Sequence, residues 1–207
     1  VKTTIFLGGM EFDSYLELFR KYAGDEGTSD FDPEIYGRIV RERELFILPE
    51  MFRGTGQFPE SEARVVEKGK AIPVAAIQSG DQVPEFFRDA QVARPVLILS
   101  LALQTDVALR RAGMQENQPL FVEGGFRRNE SYNKLLAGVY PDTQVSLTSM
   151  KEASAFGAAI LAKVALEGTR PQDVADLFEI ESSVVEAARL PGLAEYREKF
   201  GRLLREG

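Results

Sequence analysis

Two rhythms of apolar positions run along the chain. Thr3 to Leu7 is a strand-like run, and Phe12, Tyr15, Leu16, Leu18 and Phe19 then recur at helical spacing across Glu11–Tyr22. Gly24 to Pro33 is a Gly/Ser/Thr/Asp loop. Pro33 to Arg43 reads as a short helix with proline in its first turn. Leu45–Leu48 is a short strand ended by Pro49, and Gly54 to Pro59 is a turn-rich loop. Ile72–Ile77 is predicted as a further strand, closed by Ser79-Gly80-Asp81. Pro84 to Gly113 has a helical pattern. Pro95 lacks an amide proton, so a kink or two abutting helices is expected there. Val96 to Ala112 is apolar nearly all round until Asp106, which marks a buried helix. Strands at Leu120–Glu123 and Gln144–Leu147 alternate with helices at Asn129–Val139 and Lys151–Glu167. The tail from Asp173 to Glu206 reads as two or three amphipathic helices around Pro191-Gly192. Alternation of this kind predicts an α/β domain with helices on a sheet.

Composition narrows the chemistry. The chain has 207 residues, 44% hydrophobic and 28% charged, an ordinary globular balance. It enters at Val1 on a strand-like run, as expected of a piece of a longer polypeptide. No continuous apolar run approaches the roughly 18 residues of a membrane span; the longest, Val96 to Leu103, is broken at Ser100. Cysteine and histidine are both absent. That removes disulfides, thiolate zinc sites, His-ligated metals and the Ser-His-Asp triad. Acid–base chemistry would fall to carboxylates, Lys or Tyr. A net charge of −7 disfavours a nucleic-acid partner. It leaves room for a phosphate ligand held by backbone N–H groups.

One local pattern occurs twice. Ile5-Phe6-Leu7-Gly8-Gly9 and Leu120-Phe121-Val122-Glu123-Gly124-Gly125 each take a strand to paired glycines and then to a helix. Glycine lets a ligand approach the main chain, and the helix start offers unpaired N–H groups. Together they make an anion seat. Neither turn has dinucleotide or P-loop spacing. Taken alone, either reads equally as a plain tight connection.

The second turn carries a resemblance. Phe121 to Asn129 is followed by Tyr132-Asn133-Lys134-Leu135-Leu136-Ala137 and then by Glu152 to Ala162 with its Gly157-Ala158-Ala159. This resembles the C-terminal signature of the FGGY carbohydrate kinases, which include glycerol kinase, xylulokinase and fuculokinase. Phe46-Ile47-Leu48-Pro49, Gly56-Gln57-Phe58-Pro59, Val92 to Arg111 and Thr4 to Leu16 agree more loosely, so the likeness spans about residues 1–165. It implies a ribonuclease-H-like, actin-like ATPase domain with a mixed sheet flanked by helices. It places residues 1–207 in the nucleotide-binding C-terminal domain, incomplete at its N-terminal edge, with 170–207 as a helical tail. The N-terminal sugar-binding domain would be missing.

The resemblance also implies roles. ATP with Mg2+ would bind at Gly8, Gly9 and Asp13 and at Gly124, Gly125 and Asn129. The family's residue at the Asp13 position is expected to be Gln, so Asp13 is a changed contact near phosphates. Asn129 suits an adenine edge as donor and acceptor, and suits a helix N-cap equally. Glu152 reads as a charge at a helix start or an interdomain contact. Gly157 would allow close helix packing against the sheet or an interdomain hinge. Arg127 and Arg128 read as solvated surface or as phosphate contacts. The catalytic base would lie outside this chain, and no metal ligand is expected within it.

Departures limit the match. The family's Gly-Glu-Arg-x-Pro is Gly56-Gln57-Phe58-Pro59 here, and the usual Glu of the long helix is replaced around Ser100. Gly80-Asp81-Gln82 has the letters of the family's catalytic motif at the wrong place and reads as a turn. The expected function is phosphoryl transfer from MgATP to a ketose, deoxyketose or polyol hydroxyl in a cytoplasmic enzyme, with the isolated chain inactive. No nucleic-acid or membrane partner is expected, and a homodimer is left open. The alternative is a non-catalytic nucleotide-binding or regulatory module of the same superfamily. An acetate-kinase or chaperone-type ATPase is a third reading.

Overall fold

The structure is a computed structural model that describes residues 8–52, 54, 57–58, 60–115, 117–149, 153–170, 173 and 181–206. The predicted strand Thr3–Leu7 lies outside them. Helix α1 (Gly8–Ala23) is followed by α2 (Pro33–Glu42), strands β1 (Leu45–Leu48), β2 (Arg64–Glu67) and β3 (Lys70–Pro73), and α3 (Val74–Ser79). A short 3-10 turn (Glu85–Arg88) precedes α4 (Ala90–Arg111). Strand β4 (Leu120–Val122), a second 3-10 turn (Gly125–Arg128), α5 (Glu130–Val139), β5 (Val145–Thr148), α6 (Ala153–Glu167), β6 (Ser182–Val184) and α7 (Leu193–Arg205) complete the order.

Two three-stranded sheets form among the described residues. In the first, β1, β2 and β3 are antiparallel, with Phe46 opposite Val66 and Val65 opposite Ile72. In the second, β4 runs parallel to β5, and β5 antiparallel to β6. The sheet thus combines both senses, as expected of a mixed α/β domain, but the strands divide into two groups.

Helix α4 is the centre. It touches α1, α2, α5 and β1. Val96 through Gln104 are all buried, as an all-round apolar helix requires. By length and composition α4 alone, among the described residues, could cross a membrane; here it is mostly buried as the domain's core helix. It stays unbroken through Pro95. The break falls instead at Asp89, whose side chain accepts from the Gln91 backbone N–H at 3.0 Å and starts the helix. Pro95 sits only six residues in, and the bond it removes would have gone to the carbonyl of exposed Gln91.

Two further expectations change. The predicted strand Ile72–Ile77 is the end of β3 and the start of α3, because β2 and β3 close through Lys68 and Gly69, both at positive φ. Among the described residues the tail contributes strand β6, which was not expected, and helix α7; Asp173 is also helical, and residues 174–180 lie outside them. Residues 185–190, between β6 and α7, belong to no helix or strand. Helix α7 is fastened to the front of the domain. Tyr196 stacks on Phe46 at 4.5 Å and donates to the Leu45 carbonyl at 2.7 Å. Lys199 donates to the Arg43 carbonyl at 2.7 Å, and Arg197 forks onto Asp106 at 2.8 and 2.9 Å.

Candidate functional site

The two glycine pairs sit in different local structures. Gly8 and Gly9 form the first turn of α1 itself. At the second pair, Gly124 takes φ 74 and ψ −152. That region is open to glycine alone, so the residue is dictated by the backbone. Gly125 then opens a 3-10 turn instead of the helix proper, and α5 begins five residues later.

Both turns face one cleft of about 550 Å3. Gly9 and Asp13 line it from α1. Gly125, Phe126, Arg128 and Asn129 line it from the second turn, with Phe12, Ser29 and Arg94. The structure therefore brings together Gly9, Asp13, Gly125 and Asn129. A Cβ built on Gly9 or Gly125 would meet nothing within 4 Å, so the main chain lies open to the cleft. Gly124 serves its turn and is not among the described residues that line the cleft.

The cleft has an aromatic floor. The Phe12 ring meets the Phe126 ring edge-on at 6.1 Å, and Phe126 lies 4.7 Å from Tyr132. The Arg94 guanidinium sits over Phe12 at 5.4 Å. This chain of rings bridges the two turns across 114 residues of sequence. Arg94 and Arg128 line the cleft with one carboxylate, Asp13; Arg94 is paired with Glu26 at 3.9 Å, which leaves exposed Arg128 as the cation turned toward an anionic ligand.

The walls are held by polar ties. Arg94 Nη1 donates to the Gly27 carbonyl at 3.1 Å, and Ser131 Oγ donates to the Ser29 carbonyl at 3.0 Å. These fix the 24–32 loop that carries Ser29. Asn133 Nδ2 donates to the carbonyls of Phe126 at 3.2 Å and Arg127 at 3.0 Å, supporting the second turn from behind. Asn129 Oδ1 accepts the Tyr132 backbone N–H at 2.9 Å and caps α5.

On the core-facing side of the α1 turn that bears Gly9, Glu11 is fully buried. Gln104 Nε2 donates to its Oε1 at 3.1 Å and to Ser100 Oγ at 3.1 Å. Its Oε2 has no partner among the described residues. Burial pushes this carboxyl up to about 7, with nearby Glu50 adding to the rise against the Gln104 and Met51 hydrogen bonds. Glu50, also buried, accepts the backbone N–H groups of Gly54 at 3.2 Å and Phe58 at 2.6 Å. It organises the loop after β1, over which Arg111 lies, 5.2 Å from the Phe58 ring. Gly56 and Pro59 fall outside the described residues.

Other expectations sort out plainly. Glu152 lies outside the described residues. Gly157 lies on α6 and is not among the described residues that line the cleft; among the described residues nothing lies within 4 Å of a Cβ built there. Arg128 lines the cleft and Arg127 does not. Gly80-Asp81-Gln82 is a helix-ending turn, with Gly80 at φ 89 and Ser79 Oγ donating to Asp81 Oδ2 at 2.7 Å. Phe12, Ser29 and Arg94 were not singled out as site residues from the sequence. An Arg in the first turns of the long helix was the one available signal among them.

Residues 1–171 match the family described as "Carbohydrate kinase FGGY, C-terminal domain". The chain belongs to the FGGY carbohydrate kinase family. The fold agrees with solved structures. A carbohydrate kinase from Novosphingobium aromaticivorans superposes with a TM-score of 0.62 at 23% identity, covering 98% of this chain and 36% of that one. A xyloylose kinase from Brucella ovis gives 0.53 at 20% identity, covering 92% and 36%. Among curated protein sequences none matches. The FGGY assignment carries the actin-like ATPase fold, and the chain spans 36% of the length of each of these two kinases. Strand β6 and helix α7, at Ser182–Arg205, lie beyond the matched family region.

Proposed function

We propose that this domain holds the nucleotide of an ATP-dependent sugar kinase, which transfers the γ-phosphoryl of MgATP to a hydroxyl of a ketose, deoxyketose or polyol. One observation carries the reading: Gly9 with Asp13 and Gly125 with Asn129, two glycine turns far apart in sequence, line the same aromatic-floored cleft. Phosphoryl transfer depends mostly on positioning and charge stabilisation. In this reading the open main chain at Gly9 and Gly125 seats the nucleotide, and Phe12 and Phe126 give its base an apolar surface. Arg128 offsets phosphate charge. The described residues contain no cluster of three acidic metal-ligating groups, so Mg2+ would arrive with the phosphates. The base toward the sugar hydroxyl, and the sugar pocket, would belong to the N-terminal half of a longer enzyme.

Titration calorimetry of the 207-residue chain with MgATP tests this. Binding is expected on the order of 1 mM, lost in Arg128→Glu, with no sugar phosphorylation by the chain alone. Absence of any nucleotide binding sinks the proposal. Sugar phosphorylation by this chain would place the base inside it.

A further inference from the structure

We infer that Arg94, although it lines the cleft, is a positioning residue: it sets the distance between the Phe12 ring and the 24–32 loop, and the ligand meets those two walls and not the guanidinium. The inference rests on the nucleotide reading above and concerns how that site keeps its shape.

Arg94 is the fifth residue of α4, and its side chain is 13% exposed. Its guanidinium is already engaged on several sides. Nη1 donates to the carbonyls of Gly27 at 3.1 Å and Glu26 at 3.4 Å, and the Glu26 carboxylate lies 3.9 Å from the same nitrogen. The group sits over the Phe12 ring, 5.4 Å from its centroid. Nε is buried and makes no hydrogen bond among the described residues, so a ligand in the cleft does not reach it. An arginine that recognises phosphate presents its planar fork to the oxygens. Here the fork is spent on main-chain carbonyls, and the charge is met by Glu26.

What Arg94 holds is one wall against the other. The loop lies directly on the first turn of α4: a Cβ built on Gly27 would meet the Ala90 carbonyl oxygen at 2.3 Å and Arg94 Cβ at 3.4 Å. Gln91 Oε1 accepts the Thr28 N–H at 3.4 Å, and Ser131 Oγ donates to the Ser29 carbonyl at 3.0 Å. Ser29 carries this wall into the cleft. The opposite wall is Phe12 on α1, whose ring meets Phe126 edge-on. Arg94 touches both walls. Lysine would keep the charge, but it has no plane to lie on a ring and no fork to span two carbonyls.

NMR titration of the 207-residue chain with AMP, MgADP and MgATP separates positioning from phosphate contact. A positioning residue affects the three ligands alike, whereas a phosphate contact weighs more as phosphates are added. Arg94→Lys is expected to weaken all three by a common factor of about three- to tenfold. Amide hydrogen exchange is expected to quicken in residues 26–30 while α4 keeps its rate. Ser131→Ala loosens the same loop from the α5 side with Arg94 in place. It is expected to give the same pattern, and it carries the test if Arg94→Lys does not fold. Parent affinity in a folded Arg94→Lys chain overturns the inference. So does a loss that grows by about tenfold from AMP to MgATP, or unchanged exchange in the loop of the folded variants. Each of these leaves the nucleotide site standing. No binding of any of the three by the parent chain removes both.

Discussion

Gln104 on α4 donates to Glu11 on α1 inside the core, 3.1 Å from nitrogen to oxygen. It is the only hydrogen bond to a side chain that Glu11 makes among the described residues, and it leaves a buried carboxyl raised from 4.5 to about 7, chiefly by burial. The folded state holds this proton more tightly than the unfolded one. Below about pH 4.5 both states are protonated and burial is favoured in full. As pH rises through 7 the folded state is left with a buried charge, and stability falls. The 2.5-unit difference sets a ceiling of about 3 kcal/mol. Thermal melts should therefore show a lower melting temperature at pH 8 than at pH 6. Glu11→Gln should flatten that slope and raise the pH 8 value by about 2–8 °C. An unchanged slope in the variant would mean that another group titrates.

Arg197 and Asp106 join the last helix to the central one. Asp106 is only 3% exposed, and the guanidinium forks onto both of its oxygens at 2.8 and 2.9 Å. Arg110 reaches the same carboxylate from the next turn at 2.9 Å. Removing Arg197 leaves the buried charge half-compensated. Arg197→Ala is expected to cost about 2–4 kcal/mol in urea unfolding. Arg110→Ala should cost much less, since that side chain is 59% exposed. Equal costs would contradict the assignment of the anchor to α7.

The adjacent glycines of the second turn should respond differently to the same substitution. Gly124→Ala forces a side chain into φ 74, ψ −152 and is expected to lower stability by about 1–3 kcal/mol. Gly125→Ala has no positive φ and meets nothing within 4 Å, so its melting temperature should stay near that of the parent. The methyl stands on main chain that lines the cleft, and MgATP should bind several-fold more weakly. A Gly125→Ala chain with full affinity would show that the nucleotide does not approach that backbone.

The glycine turns, the Asn129 cap position and the long buried helix could be read from the sequence, because each depends on local chemistry and short spacing. The break at Asp89 was hidden by Pro95, a louder signal with less consequence, since proline near a helix start loses one bond to an exposed carbonyl. Strand β2 escaped because its turn uses Lys68 in a left-handed conformation, where Asn or Asp would be the usual sign. Ser29 and Arg94 could not be assigned to the cleft from spacing. Ser29 arrives there on a loop whose carbonyls are held by Arg94 and Ser131, and carbonyls carry no sequence; Arg94 arrives there on α4 through the packing of α4 against α1.

The fastening of α7 bears on how the chain reaches its native state. Tyr196 and Leu45 are 151 residues apart, and Lys199 and Arg43 are 156 apart. Closing loops of that size is slow and comes late. During synthesis the first sheet emerges well before the ring that covers Phe46. Until then that strand waits with an aromatic face uncovered, a natural contact for a chaperone and a point where a nascent chain is prone to associate.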